Sequence, residues 1–490
     1  MRDVALTIIL LAIIPLVFLR PHVGVLAWAW VSLMNPHKEV YSFLAGANLN
    51  FFIACLTIVA LIFSRERHLP KLNQTLIVMM FLAAWTTITT YAALNYDVAY
   101  DYWLRTIKTF GFLLIMVMII DRASRLHSLI LIIVVSIGYW GVLTAVRTVA
   151  SLGHSVLAGA PDTMIGDNNA LALALVMVLP LVEYCRYVSS SALVRNACSA
   201  TLICFVVAIL GTHSRGGLIA LAVVLIALWW KSKSRLLAAG IIGISIVSIV
   251  LLPQQWSEKM STIQTYQEVQ TFQERVWTWT TAIRIGLDRP IIGAGYKAME
   301  DPATYQHYRA EGDTIRSKAV HDAYLQVLAE HGFVGLALFA FMFFLSFRNC
   351  RWVVKRCSNT PDLYWLRYLA SMLEIGLIGY AVGAIALAVA YYDLFLMMIA
   401  LSSIMRDYAQ HELKDREDTG KRCAEWADNY YGGALSKTKP LESVKNILSR
   451  RLSYRSGLSA IYGAFVPDDG AARSSCKTTY RQTPIASARD

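Results

Sequence analysis

Charge is what this chain has least of. Asp, Glu, Lys and Arg make up 16% of its 490 residues, against 56% apolar residues. Soluble globular domains carry about 25% charge, so the shortfall excludes that class and leaves a polytopic membrane protein. Acids are scarcer still, 33 against 45 bases, for a net charge of +12. That excess sits in short loops between apolar runs, the pattern of membrane orientation, so nucleic acid is not an expected partner. Cysteines number only 8. All of them fall in apolar runs or on the side read below as cytoplasmic, which excludes a disulfide framework. No small-residue cleavage site follows Met1-Arg2-Asp3, so no cleavable signal peptide is expected. There is no solenoid period and no inverted repeat of the kind many transporters show.

What the chain has is a series of apolar runs approaching the roughly 20 residues a spanning helix needs. They lie at 4–19, 23–34, 49–64, 75–93, 106–120, 129–145, 169–184, 197–210, 218–230, 236–252, 324–347, 370–388 and 394–404. The expected fold is all-α, with about twelve or thirteen spans. Arg20-Pro21 interrupts the first two, which read as two helices or as one broken or re-entrant unit.

Basic residues assign the sides. Arg65, Arg67 and Lys71; Arg122 and Arg125; Arg186 and Arg195; Lys231, Lys233 and Arg235; and Arg348, Arg351, Lys355 and Arg356 alternate with poorer loops, which makes their side cytoplasmic. The opposite, periplasmic side then carries the one long polar passage, 253–320. Beyond Arg406 the composition turns polar and basic, as in a largely disordered cytoplasmic tail. Within the tail, Leu441, Val444, Leu448 and Leu452 share a helical face beside basic residues, as in a helix lying on anionic lipid.

The long loop holds Arg275, Arg284, Arg289, Lys297, Arg309, Arg316 and Lys318, a surface suited to an anionic ligand. Thr271 and Glu274 have capping-box spacing, predicting a helix that starts at Thr271 with Arg275 in its first turn. Phe272, Val276, Trp279 and Ile283 would form its buried face. Asp288-Arg289-Pro290 would end it. The Gly293-Ala294-Gly295 turn that follows would let backbone approach a ligand. Residues 300–319 read as a mobile lid. On the same side, Ser214-Arg215-Gly216-Gly217 opens a helix, offering free N–H groups and a positive dipole end to an anion, although an interfacial snorkelling arginine would look the same.

These pieces occur in a recognisable order. Ser214-Arg215-Gly216-Gly217, then Arg275-Val276-Trp277 with Asp288-Arg289-Pro290-Ile291-Ile292-Gly293-Ala294-Gly295, then His321-Asp322-Ala323-Tyr324-Leu325-Gln326 with Glu330-His331-Gly332 resemble the O-antigen ligase and polymerase superfamily. Upstream, Met34-Asn35-Pro36-His37 and Ile165-Gly166-Asp167-Asn168-Asn169-Ala170 are similar to the O-glycosylation ligase branch found with exosortase systems. The resemblance implies a metal-independent, cofactor-free glycosyltransferase of the GT-C type in the bacterial inner membrane. It would move a saccharide from an undecaprenyl-diphosphate carrier to a lipid A core, protein or glycan acceptor. By that resemblance the chain divides into an N-terminal membrane region (1–190), a catalytic core (195–345), C-terminal helices (346–405) and the tail (406–490).

The residue chemistry fits that implication. Cleaving the bond from sugar C1 to diphosphate develops negative charge, which Arg215 and Arg275 would neutralise in bidentate fashion. His321 would take the acceptor hydroxyl's proton, or alternatively bind phosphate as a cation. Arg289, Ser214, Gly216, Asp322, Tyr324, Asp167 and Asn168 are further substrate-binding candidates. Asp322 reads better as a helix start, and Asp167 and Asn168 equally well as N-caps. Arg105, Lys108 and Arg147 would hold diphosphate or simply snorkel. Tyr391-Tyr392-Asp393 would stack on sugar or join an interfacial belt. The periplasmic side has no Asp-x-Asp, which counts against metal-dependent lipid-linked transferases. A transporter would carry its charges at the membrane midplane, whereas these cluster at one face.

Overall fold

Each apolar run that can be followed forms a helix, because lipid leaves backbone N–H and C=O groups no partners but one another. The computed structural model describes residues 2–64, 72–231, 243 and 267–431, without the side chains of 267–272, 420 and 423–431. In chain order the helices are α1 (Arg2–Leu19), α2 (His22–Met34), α3 (Leu49–Phe63), α4 (Gln74–Tyr91), α5 (Tyr96–Ile119), α6 (Ala123–Ala150) and α7 (Asn168–Val188). There follow α8 (Ala192–Gly211), α9 (Arg215–Lys231), α10 (Gln267–Asp288), α11 (Pro302–Tyr308), α12 (Ala323–Arg356), α13 (Tyr364–Gly383) and α14 (Asp393–Tyr431). The protein is an all-α polytopic membrane protein. Among the described residues, eight helices are long and apolar enough to cross a membrane, fewer than hydropathy alone suggests. The difference lies in α2 and α3, which are apolar but short, in the 17-residue α9, and in α14, whose apolar part is a fraction of its length. The expected span at 236–252 and the lipid-surface helix of the tail lie outside the described residues, as do Arg65, Arg67, Lys71, Lys233 and Arg235. Arg20-Pro21 does separate two helices.

The bundle is built around α7. All of its residues from Ala170 to Tyr184 are buried, and α6, α8, α9 and α13 pack against it. Glycines at 376, 379 and 383 of α13 make the closest approach possible. A Cβ on Gly376 would lie 2.6 Å from the Met177 carbonyl oxygen, and one on Gly383 would lie 2.6 Å from Leu173. Small residues serve this purpose where lipid supplies no hydrophobic drive between helices. By contrast α1, near the edge, is only 17% buried.

Three expectations about the polar passages change. The loop helix is already helical at Gln267, so Thr271 is inside it and is no N-cap. A cap needs non-helical backbone, and Gln267–Gln270 instead continue the helix upstream. Its buried face is Thr278, Thr281, Ala282 and Ile285, while Ile283 is 42% exposed. Small residues win this face because α12 runs close: a Cβ on Gly286 would meet Leu328 at 2.6 Å. Finally, the chain does not leave helix at Arg406, since α14 continues to Tyr431. Glu417–Lys421 at 2.8 Å and His411–Asp415 at 3.1 Å are spaced four apart along it. Arg416 ties it to Asp362 at 2.9 Å. Such i,i+4 pairs let a polar sequence stay helical.

Candidate functional site

Three helices of the core, α7, α9 and α12, begin at the same end of the bundle, where the long loop packs. Each start is dictated locally. Asp167 accepts hydrogen bonds from the Asn169 and Ala170 amides at 2.9 and 3.2 Å. Ser214 Oγ accepts from the Gly217 amide at 3.0 Å. Asp322 accepts from the Tyr324 and Leu325 amides, both at 2.8 Å. A helix N-terminus attracts anions, but a capping carboxylate already satisfies part of that field. The start of α9, capped by a neutral hydroxyl and followed by Arg215, keeps more of it.

Side-chain links bring these starts together. Asn168 Nδ2 donates to the Thr212 carbonyl at 2.8 Å, joining the start of α7 to the turn that carries Ser214 and Arg215. A Cβ on Gly216 would meet Ala386 at 3.1 Å, and Tyr324 donates to the Ala381 carbonyl at 3.1 Å. The starts of α9 and α12 thus flank the same end of α13. Arg215 itself is exposed there.

Arg275 and His321 are joined by two flanking bonds. Glu274 pairs with Lys318 at 2.6 Å, and Thr278 Oγ1 donates to the Val320 carbonyl at 3.5 Å. Arg275 and Thr278 are three residues apart and share a helical face, so that face of α10 meets the strand of chain leading to His321. Lys318, Glu300 and Arg289 have partners: Lys318 has Glu274, Glu300 has Lys297 at 2.5 Å, and Arg289 donates to the Ala92 carbonyl at 2.8 Å. The Arg275 side chain makes no hydrogen bond or ion pair with the described residues, and it is half-buried.

His321 stands in the left-handed region at φ 51°, unusual for a residue with a β-carbon. Burial, then the Lys318 and Arg275 cations, holds its imidazole below the ordinary 6.5, with Asp167 and Glu300 pulling the other way. The ring is therefore neutral at neutral pH. That Arg275 and Asp167 both act on it places the starts of α7 and α12 and the face of α10 around one space. Lys318, one of the loop cations expected to face an anionic ligand, lies three residues before His321 and is the larger of the two charges acting on it.

Other candidates are elsewhere. Arg289 is at the far end of α10 from Arg275, roughly 20 Å away at 1.5 Å per residue, and it braces the α4–α5 turn. The glycine turn meets protein and not open space. A Cβ on Gly293 would be 2.5 Å from the Glu330 carbonyl carbon, and one on Gly332 2.4 Å from the Ile291 oxygen, with φ of 64° and 68°. Gly332 kinks α12, and Phe333 N–H donates to the Pro290 carbonyl at 2.7 Å. The two glycine motifs are therefore the halves of one backbone joint. Residues 300–319 are packed. Tyr305 is fully buried and donates to Asp313 at 2.7 Å, and Gln306 donates to the Ile315 and Arg316 carbonyls. They enclose a small apolar core with Ala282, Ile285 and Val320, which a loosely held lid would lack. Tyr391 and Tyr392 are buried, so neither presents a stacking face, and Tyr392 donates to the Ala170 carbonyl at 3.0 Å.

Comparison with known proteins divides the chain in two. No curated protein matches it. Residues 1–190 match a family of unknown function, DUF5935. Residues 200–340, the segment that supplies Arg215, Arg275 and His321, match the family described as O-antigen ligase, which supports placing the chain in that superfamily.

Proposed function

We propose that the protein is a glycan ligase of the inner membrane, transferring an oligo- or polysaccharide from undecaprenyl diphosphate to an acceptor hydroxyl on the periplasmic face. A ligase- or polymerase-type glycan function is what the O-antigen ligase match supports in general. The observation that carries the finer reading is Arg275, a guanidinium without a partner among the described residues, held on the helix face that meets the chain at a neutral histidine.

The acceptor oxygen attacks sugar C1 as the C1–oxygen bond to diphosphate breaks. The leaving diphosphate takes the electron pair. Arg275 and Arg215 meet that charge as it develops, which is where a fixed cation lowers a barrier. His321 receives the proton of the attacking hydroxyl, for which a neutral imidazole at the operating pH is required. Asp167 and Asp322, already engaged as N-caps, shape the site, and Ser214 and Gly216 present the start of α9 to phosphate oxygens.

Purified full-length protein, given a lipid-diphosphate-linked oligosaccharide and candidate acceptors, tests this. Transfer should proceed in excess chelator and be lost in a folded Arg215→Ala variant. A strict requirement for a divalent cation, or wild-type transfer by that variant, would overturn the mechanism. Chain-length analysis of the product separates a ligase, which adds a block once, from a polymerase, which extends it.

A further inference from the structure

A second polar place exists, lined mostly by the region of unknown function. A cavity of about 590 Å³ lies between α2, α3 and α5 and is closed at one side by Asp393. Its mouth carries His37, Lys38, Asn50, Arg105 and Lys108, and its wall is Phe51, Ala54, Ile58, Phe112 and Ile115. Phe51 and Ile58 are also exposed on the outer surface of α3, at 54% and 43%. On an apolar helix of a membrane protein such a surface suits lipid, so the cavity would open sideways into the membrane.

The polar atoms at the mouth lack partners of a definite kind. Asn50 Oδ1 and His37 Nδ1 are buried and make no hydrogen bond. Leaving such atoms unpaired is unfavourable, so a ligand that satisfies them gains affinity. Asn50 Oδ1 is purely an acceptor. Burial, then Lys38, holds His37 below its ordinary value, so its ring is neutral and one nitrogen accepts. Asn50 Oδ1 asks for a donor and His37 Nδ1 for a donor or an acceptor according to its tautomer, and a hydroxyl can serve both.

The cations ask for an anion. Arg105 and Lys108 lie more than two turns inside α5, where a charge in a spanning helix normally marks a ligand path. Lys108 lies over the Phe51 ring at 5.6 Å and has no carboxylate partner among the described residues. Two of the three acids bordering the cavity are already engaged: Asp162 faces Lys38 at 3.6 Å, and Asp393 accepts from Ser32 and Thr109 and lies within reach of the Arg105 charge, which leaves Lys108 as the cation with most need of an anion. Asp101 is exposed at the rim.

We propose that this cavity is a lateral binding site for a membrane lipid whose headgroup carries a phosphate and free hydroxyls. The phosphate sits at Arg105 and Lys108, the hydroxyls at His37 and Asn50, and the tail along the α3–α5 slot. The site stands independently of glycan transfer. Two sources share the chemistry: a bulk glycerophospholipid of the phosphatidylglycerol kind, and a lipid-linked sugar phosphate.

Native mass spectrometry of the full-length protein tests it, with phosphatidylglycerol, phosphatidylcholine and a polyprenyl-phosphate sugar as probes. Phosphatidylglycerol should be retained about tenfold better than phosphatidylcholine, which lacks both the net charge and the hydroxyls. The double variant Arg105→Gln, Lys108→Gln, at exposed positions that folding tolerates, should remove that preference, and Ile58→Trp should lower retention by filling the slot. Preference for the sugar phosphate over phosphatidylglycerol assigns the lipid-linked source, and the reverse order assigns the bulk lipid. Arg275→Ala should retain lipid as the wild type does, which separates this site from the transfer reading. Equal retention of phosphatidylglycerol and phosphatidylcholine, undiminished binding in the double variant, or full displacement by inorganic phosphate alone would each overturn the proposal.

Discussion

The same three helices, α7, α9 and α12, carry charge at both ends, and the two ends treat it differently. Where they finish, the cations are paired with buried acids. Arg186 is bidentate on Glu183 at 2.6 and 2.9 Å, with Tyr368 also donating to that carboxylate. Lys231 and Arg351 share Glu374 at 2.5 and 3.1 Å, and the Glu374 side chain is 5% exposed. At the end where they start, Arg275 of the neighbouring α10 has no such partner among the described residues, and its charge bears on His321. Basic residues in a last turn suit a helix C-terminus, so the paired end is what stability alone would arrange. Arg275, inside α10 and beside the starts of those helices, has no fixed carboxylate there, and a bound anion would suit it and the positive ends of the helices together. The comparison teaches that arginine count is uninformative in such a chain, whereas the presence or absence of a fixed carboxylate separates structural cations from working ones.

The sharpest way to break the comparison is to remove a cation from each end. Arg275→Ala should lower transfer by about 10²- to 10³-fold with the fold intact, the usual cost of losing a charge-stabilising donor. Arg351→Ala, in contrast, should leave turnover within about twofold, because Arg351 is itself 75% exposed and Lys231 remains on Glu374. Initial rates with lipid-linked donor measure both. Equal losses would erase the distinction between the ends.

The next effect concerns the joint that holds the site end together. Gly332→Ala puts a Cβ against the Ile291 carbonyl at a backbone conformation, φ 68° and ψ −170°, that only glycine adopts readily. It should cost about 2–4 kcal/mol, strain plus displacement of the turn, seen as a lower unfolding temperature in detergent. At the other end, Glu183→Ala leaves Arg186 without its carboxylate and should cost about 1–3 kcal/mol. Its unfolding temperature should fall while the rate per folded molecule stays unchanged.

The smallest effect is on pH. With the His321 pKa lowered, the neutral base survives as pH falls past 6.5, so the acid limb of transfer should lie below that value. Lys318→Gln removes one cause of the lowering, and the limb should move upward toward the ordinary value. A pH–rate profile measures the shift, and movement in the opposite direction would sink the role of His321 as base.

Much of this was legible beforehand for a simple reason. Lipid forces a helix wherever 15 to 20 apolar residues run together, and the runs from α1 to α9 and from α12 to α14 follow from it. The capping role of Asp322 was also readable, since a carboxylate before a helix has one obvious use. The buried face of α10 was not, because Thr281, Ala282 and Gly286 win by smallness against a neighbour that the local pattern does not contain. The same holds for Gly293, which looked like part of a ligand turn, and Gly332, which stood only in a family motif, yet the two are sides of one contact. The lid expectation failed because charge balance in a loop says nothing about the apolar core that Tyr305 and Val320 close beneath it.

The sequence by itself determined the class, the helices and the identities of Arg215, Arg275 and His321 as residues to watch, since these depend on hydropathy and local chemistry. Only the tertiary structure decided that the Arg275 side chain has no ion pair among the described residues, that Arg289 braces a turn remote from Arg275, and that His37 and Asn50 face a cavity with Arg105 and Lys108. Partnership between groups tens or hundreds of residues apart is a property of packing, and packing is set by the whole bundle.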